Sequence, residues 1–212
     1  MTATPTGAVP TWLVGVVVVL LAGVTITTVV VVRELQARPG HSSAAELEVA
    51  RIEEAVAADP LDSATRLELA FAYHSSDRLD EALVVYEAVL AEEPEELAAL
   101  YGAGLINIEV GDVAEGERML LAVLAREPGH VHAATVLGTL YAEHHRYEEV
   151  LAVVEPAAER SIGIADLCLL MGIAHENLGD TEAARECFES ALGYIPDMDE
   201  AREALSRMGV NQ

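Results

Sequence analysis

The sequence predicts an all-α protein, a solenoid of antiparallel helix pairs preceded by one transmembrane helix. Three observations predict it. Prolines recur at Pro60, Pro94, Pro128 and Pro196, separations of 34, 34 and twice 34 residues. Ala, Leu, Val and Glu dominate while aromatics are scarce (one Trp, two Phe, six Tyr), which favours helices over sheets. Residues 1–32 contain no Asp, Glu, Lys or Arg, so all side-chain charge falls in residues 33–212.

Residues 1–10 form a short uncharged tail, and Thr11 to Val32 form the membrane span. Its length as a helix, about 33 Å, suffices to cross a hydrocarbon core. Trp12 stands where an interfacial aromatic would sit, and Arg33 closes the other end. A cleaved signal peptide would need a basic leading region, a shorter apolar core and a small-x-small cleavage site, and none is present. Gly15 and Gly23 lie eight apart with Val19 between them, so the span lacks a GxxxG dimer motif and reads as a passive tether. Arg33, Arg38 and Arg51 follow the span, and the positive-inside bias therefore favours a cytoplasmic body. The acids interspersed among them make that signal weak, and an extracytoplasmic body stays open.

Residues 33–43 are a linker with breaker and cap residues, Pro39-Gly40-His41-Ser42-Ser43 among them. Beyond it the 34-residue period divides the chain into 63–96, 97–130, 131–164 and 165–198. Places seven and eight of each repeat read Leu69-Ala70, Ala103-Gly104, Leu137-Gly138 and Met171-Gly172. Place eleven reads Tyr73, Asn107, Tyr141 and His175. Place twenty reads Ala82, Gly116, Val150 and Ala184, and place twenty-four reads Tyr86, Leu120, Val154 and Phe188. Small residues at eight and twenty let two antiparallel helices approach, and large ones at eleven and twenty-four fill the space around them.

On these residues the chain, over about 44–208, resembles a tetratricopeptide repeat protein, whose period is 34. The resemblance implies a right-handed superhelix with a concave face. Gly111-Asp112 and Gly179-Asp180 read as a left-handed helix stop followed by an N-cap, with Glu115 as capping-box partner of Asp112 and Asp77 in a similar place in the first repeat. The third repeat departs from the pattern: it has His145-Arg146 at its turn, Ile162 where proline is expected, and Pro156 inside its second helix. The expectation is a kinked or shortened helix and a distorted join to the fourth repeat. Residues 44–62 read as a partial earlier repeat whose helix packs through Leu47, Ile52, Ala55 and Val56. Residues 199–208 read as a capping helix that packs back through Leu205 and Met208.

In this family the groove is lined mainly by places two, five, nine and twelve of each first helix. Carried onto this chain, the resemblance implies a protein-binding groove of Leu67, Phe71 and His74; Tyr101, Leu105, Ile108 and Glu109; His132, Thr135, Thr139 and Glu143; and Leu169, Ile173 and Glu176. Ala64, Ala98, Ala142 and Asp166 complete these places. The lysines, arginines and asparagines with which some relatives grip a C-terminal carboxylate are absent from them. An apolar floor with an acidic edge suits a protein or peptide segment with apolar anchors and basic flanks.

Charge excludes other classes. There are 36 acids against 12 bases, every base is arginine, and the net charge of −24 repels nucleic acid. His130, His132, His144 and His145 fall at opposite ends of one predicted helix, too far apart for one metal. Cys168 and Cys187 face each other on two helices, bonded in an oxidising compartment or reduced and buried in a reducing one. The chain has no phosphate loop, GxSxG or HExxH, so neither catalysis nor a cofactor is expected. The reading is a membrane-anchored scaffold that assembles a complex at the membrane. One alternative is an envelope factor with its repeats outside the cytoplasm, similar to those that present apocytochrome c for haem attachment. The other is a self-assembling structural protein, a homo-oligomer in which one molecule's end docks in the next one's groove.

Overall fold

The computed structural model describes residues 44–161 and 164–209, so the expected tail, membrane span and linker lie outside the described residues. Among the described residues no helix is long and apolar enough to cross a membrane. They form ten α-helices: α1 (Ala44–Ala58), α2 (Ser63–Ser75), α3 (Leu79–Glu92), α4 (Leu97–Glu109), α5 (Val113–Arg126), α6 (Val131–Glu143), α7 (Tyr147–Arg160), α8 (Ala165–Leu178), α9 (Thr181–Tyr194) and α10 (Asp199–Arg207). α2 packs on α3, α4 on α5, α6 on α7 and α8 on α9, and each pair packs on the next.

Side chains start most of the first helices. Asp62 accepts from the Thr65 N–H at 3.1 Å, Glu96 from Ala98 at 3.3 Å, and His130 Nδ1 from Ala133 at 3.1 Å. Each satisfies one of the backbone donors a helix start leaves open. Within a pair the helices meet at small residues: Ala70, Ala82 and Ala184 are wholly buried, and so are the larger partners Leu120, Val154 and Phe188. Full burial of a side chain the size of Phe188 is worth about 2–3 kcal/mol. α4 and α5 approach backbone to backbone, where a Cβ on Gly116 would stand 2.6 Å from the Gly104 carbonyl oxygen.

The turns inside the pairs alternate between two chemistries. Asp77, Gly111, His145 and Gly179 occupy equivalent places and all adopt positive φ, at 59°, 93°, 59° and 88°. After the glycines, Asp112 and Asp180 cap α5 and α9 by accepting from Glu115 N–H (3.4 Å) and Ala183 N–H (3.1 Å). After Asp77 and His145 come Arg78 and Arg146, which make no side-chain cap. Each lays its guanidinium 4.2 Å above a tyrosine ring, Tyr73 or Tyr141. The tyrosine hydroxyls donate to Glu53 (2.7 Å) and Glu117 (2.9 Å) on the preceding second helix, and the arginines engage the same carboxylates. These clamps replace a cap with cation–π and charge-assisted bonds.

Four expectations are corrected. Asp77 takes the glycine's left-handed place, not the capping place. Glu115 bonds Arg118 (2.8 Å), so only the Asp112 half of the capping box forms. Pro156 does not shorten α7, which runs its full 14 residues to Arg160. The carbonyl it deprives of a donor belongs to the exposed Ala152, where water can serve it. In α1 the buried residues are Val49 and Ile52, while Leu47 is 61% exposed and Ala55 is exposed, so the face joined to the core is centred on Val49 and Ile52.

The core forms two clusters. The first runs from Val49 in α1 to Leu167, Leu170 and Ala174 in α8. The second joins Ala165, Phe188 and Ala191 to Met198, Ala201 and Leu205 of the last helix. α10 covers the final pair through Leu205, with Met208 half-buried beside it.

Candidate protein-binding groove

The fourteen groove residues come from the first helix of each pair, α2, α4, α6 and α8, and none of them is fully buried. Leu67, Tyr101 and Ile108 are half-buried against the first core cluster, and Leu169 and Ile173 against the second. Their inner edges hold the helices together while their outer edges face solvent. Leu105 and Thr135 are half-buried, Thr139 is exposed, and Phe71 stands 67% exposed.

Polar groups tie neighbouring pairs at the edge of this surface. His74 Nε2 lies 3.3 Å from Glu109 Oε2, joining α2 to α4. Glu176 receives Arg207 of α10 at 3.1 Å, and Glu143 is exposed. Tyr101 forms an aromatic corner with His130 and His132, with ring centroids 5.2 and 6.5 Å away. Burial pushes the Tyr101 phenol upward. The sequence reading missed His130 and Arg207. His130 reads as a loop residue until its capping role fixes the ring, and Arg207 reaches Glu176 across 31 residues of chain.

Electrostatics favour a cationic ligand. Apart from Arg160, which donates to the Pro156 carbonyl, every arginine among the described residues is paired with a carboxylate of this chain. All acids but Glu34 belong to the described residues, so the surplus charge they carry is negative.

The remaining singled-out groups lie away from one another or sit in packing. His144 and His145 are at the opposite end of α6 from His130 and His132; His144 Nδ1 bonds the Leu140 carbonyl at 2.8 Å and His145 Nδ1 the Tyr147 hydroxyl at 2.8 Å. Among the described residues no group of three or more His, Cys, Asp or Glu converges on a metal position. Cys168 and Cys187 are free and half-buried, and burial, with the neighbouring Cys168, pushes the Cys187 thiol to about 11.

Residues 74–140 and 165–198 each match a model of the tetratricopeptide repeat. Over these two stretches the chain carries tetratricopeptide repeats. It is 28% identical over 145 residues to the TPR repeat-containing protein YpiA of Bacillus subtilis (strain 168), covering 66% of this chain and 34% of that protein. It thus spans about a third of the length of this curated relative. Among solved structures, a tetratricopeptide repeat protein from Parabacteroides merdae superposes with a TM-score of 0.62 at 17% identity, over 76% of this chain and 66% of that one. A crystal structure of MamA gives 0.63 at 16% identity, over 76% and 99%. These likenesses show the fold, an all-α tetratricopeptide solenoid. Such repeats are in general protein-interaction scaffolds without catalytic machinery.

Proposed function

We propose that the chain is a membrane tether that grips a segment of a partner protein along its concave face and holds that partner at the bilayer. The observation that carries this reading is the surface of α2, α4, α6 and α8, where apolar and aromatic side chains keep solvent-facing edges inside an acidic border. The apolar edges would anchor a segment and Glu109, Glu143 and Glu176 would meet its basic flanks. The uncharged stretch 11–32 supports the membrane part. Confinement near the bilayer raises the effective concentration of partners embedded there or emerging from it. The arginines that follow the stretch favour a cytoplasmic body over an extracytoplasmic one.

Site-specific photo-crosslinking from Thr139 tests the groove, with Val84 as an off-groove control. A partner captured from Thr139 and lost in Phe71→Ala plus Tyr101→Ala, at unchanged helicity, is the expected result. Equal capture by that double variant would move the binding surface elsewhere. Protease protection in intact membranes tests the topology, and a digested body would turn the orientation around.

A further inference from the structure

Each groove between the second helix of one pair and the first helix of the next has a natural occupant in this fold. The groove between α7 and α8 is filled by α6. A Cβ on Gly138 would stand 2.7 Å from Val154 of α7 and 3.0 Å from Leu170 of α8. The corresponding groove between α1 and α2 begins the described array. It is an open hollow of about 440 Å³, with Val49, Ile52, Phe71 and Ala72 along it and Glu48 and Glu68 at its borders.

The period shows what changed there. Three repeats before Val154 stands Ile52, still apolar and buried. Three repeats before Leu170 and Val150 stand Glu68 and Glu48. The two places that lie apolar under α6 have thus become carboxylates, on either side of an apolar strip.

We infer that the α1–α2 groove receives a basic amphipathic helix from a partner protein. The shape is that of a helix, because a helix fills the equivalent groove further along. The apolar strip takes large side chains at i, i+3 and i+4. The two glutamates select lysine or arginine at the places where α6 has glycine and its neighbours, and they penalise a purely apolar helix by leaving charge to be desolvated. Among the described residues Arg51, paired with Glu48 at 2.6 Å, is the one cation on this border, against the two carboxylates of Glu48 and Glu68.

The other occupants fit less well. One period before Tyr73 and His74 the sequence has Pro39 and Gly40. A proline in a helix interior costs about 3 kcal/mol, so the sequence of residues 29–41 is poorly suited to a helix equivalent to α6. A second copy carries the same net charge of −24. Its end helix α10 has both arginines engaged, Arg202 with Asp197 and Asp199 and Arg207 with Glu176. This site is separate from the concave groove except for Phe71, and it stands whether or not that groove binds a peptide.

The test uses the full chain and synthetic peptides of about four helical turns, read by fluorescence anisotropy. One peptide carries a Leu-x-x-Leu-Leu stripe with lysines facing the two glutamates, the second has leucines in place of those lysines, and the third is a scramble of the first. The lysine peptide should bind about tenfold or more tighter than either other peptide. Glu48→Val plus Glu68→Leu, which copies Val150 and Leu170, should reverse the preference between the first two. Glu68→Gln alone, on an exposed side chain, should weaken the lysine peptide with the fold intact by circular dichroism. Equal binding of lysine peptide and scramble would overturn the inference, and so would a double variant with unchanged preference. A full chain that binds none of the peptides would also overturn it, since residues 1–43 or another copy would then be the occupant.

Discussion

Replacing Gly116 by alanine probes the backbone contact between α4 and α5. The added Cβ would stand 2.6 Å from the Gly104 carbonyl oxygen, 2.6 Å from Ile108 Cγ1 and 3.0 Å from the Ile108 nitrogen, where ordinary contact begins near 3.4 Å. The isoleucine side chain can turn away, but two of the three atoms are backbone. α4 and α5 must therefore separate by most of an ångström, and overpacking of this kind costs about 1–3 kcal/mol. Rigid backbone partners put the cost in the upper part of that range, about 2–3 kcal/mol, and alanine's better helix propensity returns about 1 kcal/mol, leaving a net loss of about 1–2 kcal/mol. Gly193, also helical, has nothing within 4 Å of its Cβ position, so Gly193→Ala should gain a few tenths of a kcal/mol. Gly104→Ala meets only the Leu120 and Met119 side chains, at 3.0–3.3 Å, and should fall between the two. Urea unfolding followed at 222 nm should separate the Gly116 and Gly193 variants by about 1 M in midpoint, for a slope near 2 kcal/mol/M. A Gly116→Ala midpoint at or above wild type would falsify the packing argument.

Three further outcomes follow from named contacts. Asp77 is exposed at φ 59°, so Asp77→Val should cost about 1–2 kcal/mol in the same unfolding assay, because a β-branched residue resists the left-handed region; Asp80→Val, exposed on α3, should change stability by less than about 0.5 kcal/mol. Glu117 is held below the usual carboxylate range, chiefly by its bond to Arg146 and also by the Tyr141 hydroxyl. Its contribution is present above the unfolded value and is lost as pH falls through the lower folded value, so Glu117→Gln should flatten the loss of melting temperature on acidification below about pH 4.5. Tyr73 and Tyr141 are both pushed up to about 12, burial first and the bonded glutamates next. The unfolded chain ionises them from about pH 10, so stability should fall between pH 10 and 12, and Tyr73→Phe plus Tyr141→Phe should remove part of that slope; an unchanged alkaline melt would count against the clamp geometry.

The helix pairs were legible in the sequence because the 34-residue period acts on places where shape is decided locally. Pro60, Pro94, Pro128 and Pro196 mark loops, and Ala70, Gly104, Gly138 and Gly172 mark close approaches. The candidate groove rests on the family resemblance, which supplies the places on each first helix; the structure adds only that none of the fourteen residues is fully buried. What escaped depends on partners far apart in the chain. Arg78 and Arg146 read as turn residues until their tyrosines, five places earlier, and glutamates of the preceding helix are brought together. Glu115 reads as a capping partner, but Arg118 one turn on competes for the same carboxylate and wins with a charge-assisted bond. Pro156 reads as a breaker, although at an exposed face the lost backbone bond can be replaced by water. Leu47 was placed inward on helical spacing, but the face of α1 joined to the core is centred on Val49 and Ile52.

The division of the core at α8 bears on how the chain is made. Leu167, Leu170 and Ala174 belong to the first cluster, which needs nothing beyond α8, whereas Phe188 waits for Met198, Ala201 and Leu205. On a ribosome, the first cluster is complete once Leu178 has emerged. The final pair must then hold Phe188 and Ala191 without their cover while the last helix is synthesised. Synthesis from the N-terminus thus builds this array against a finished wall, and the apolar surface of the second cluster at risk of misassembly is confined to α8 and α9 and to the few seconds before α10 arrives.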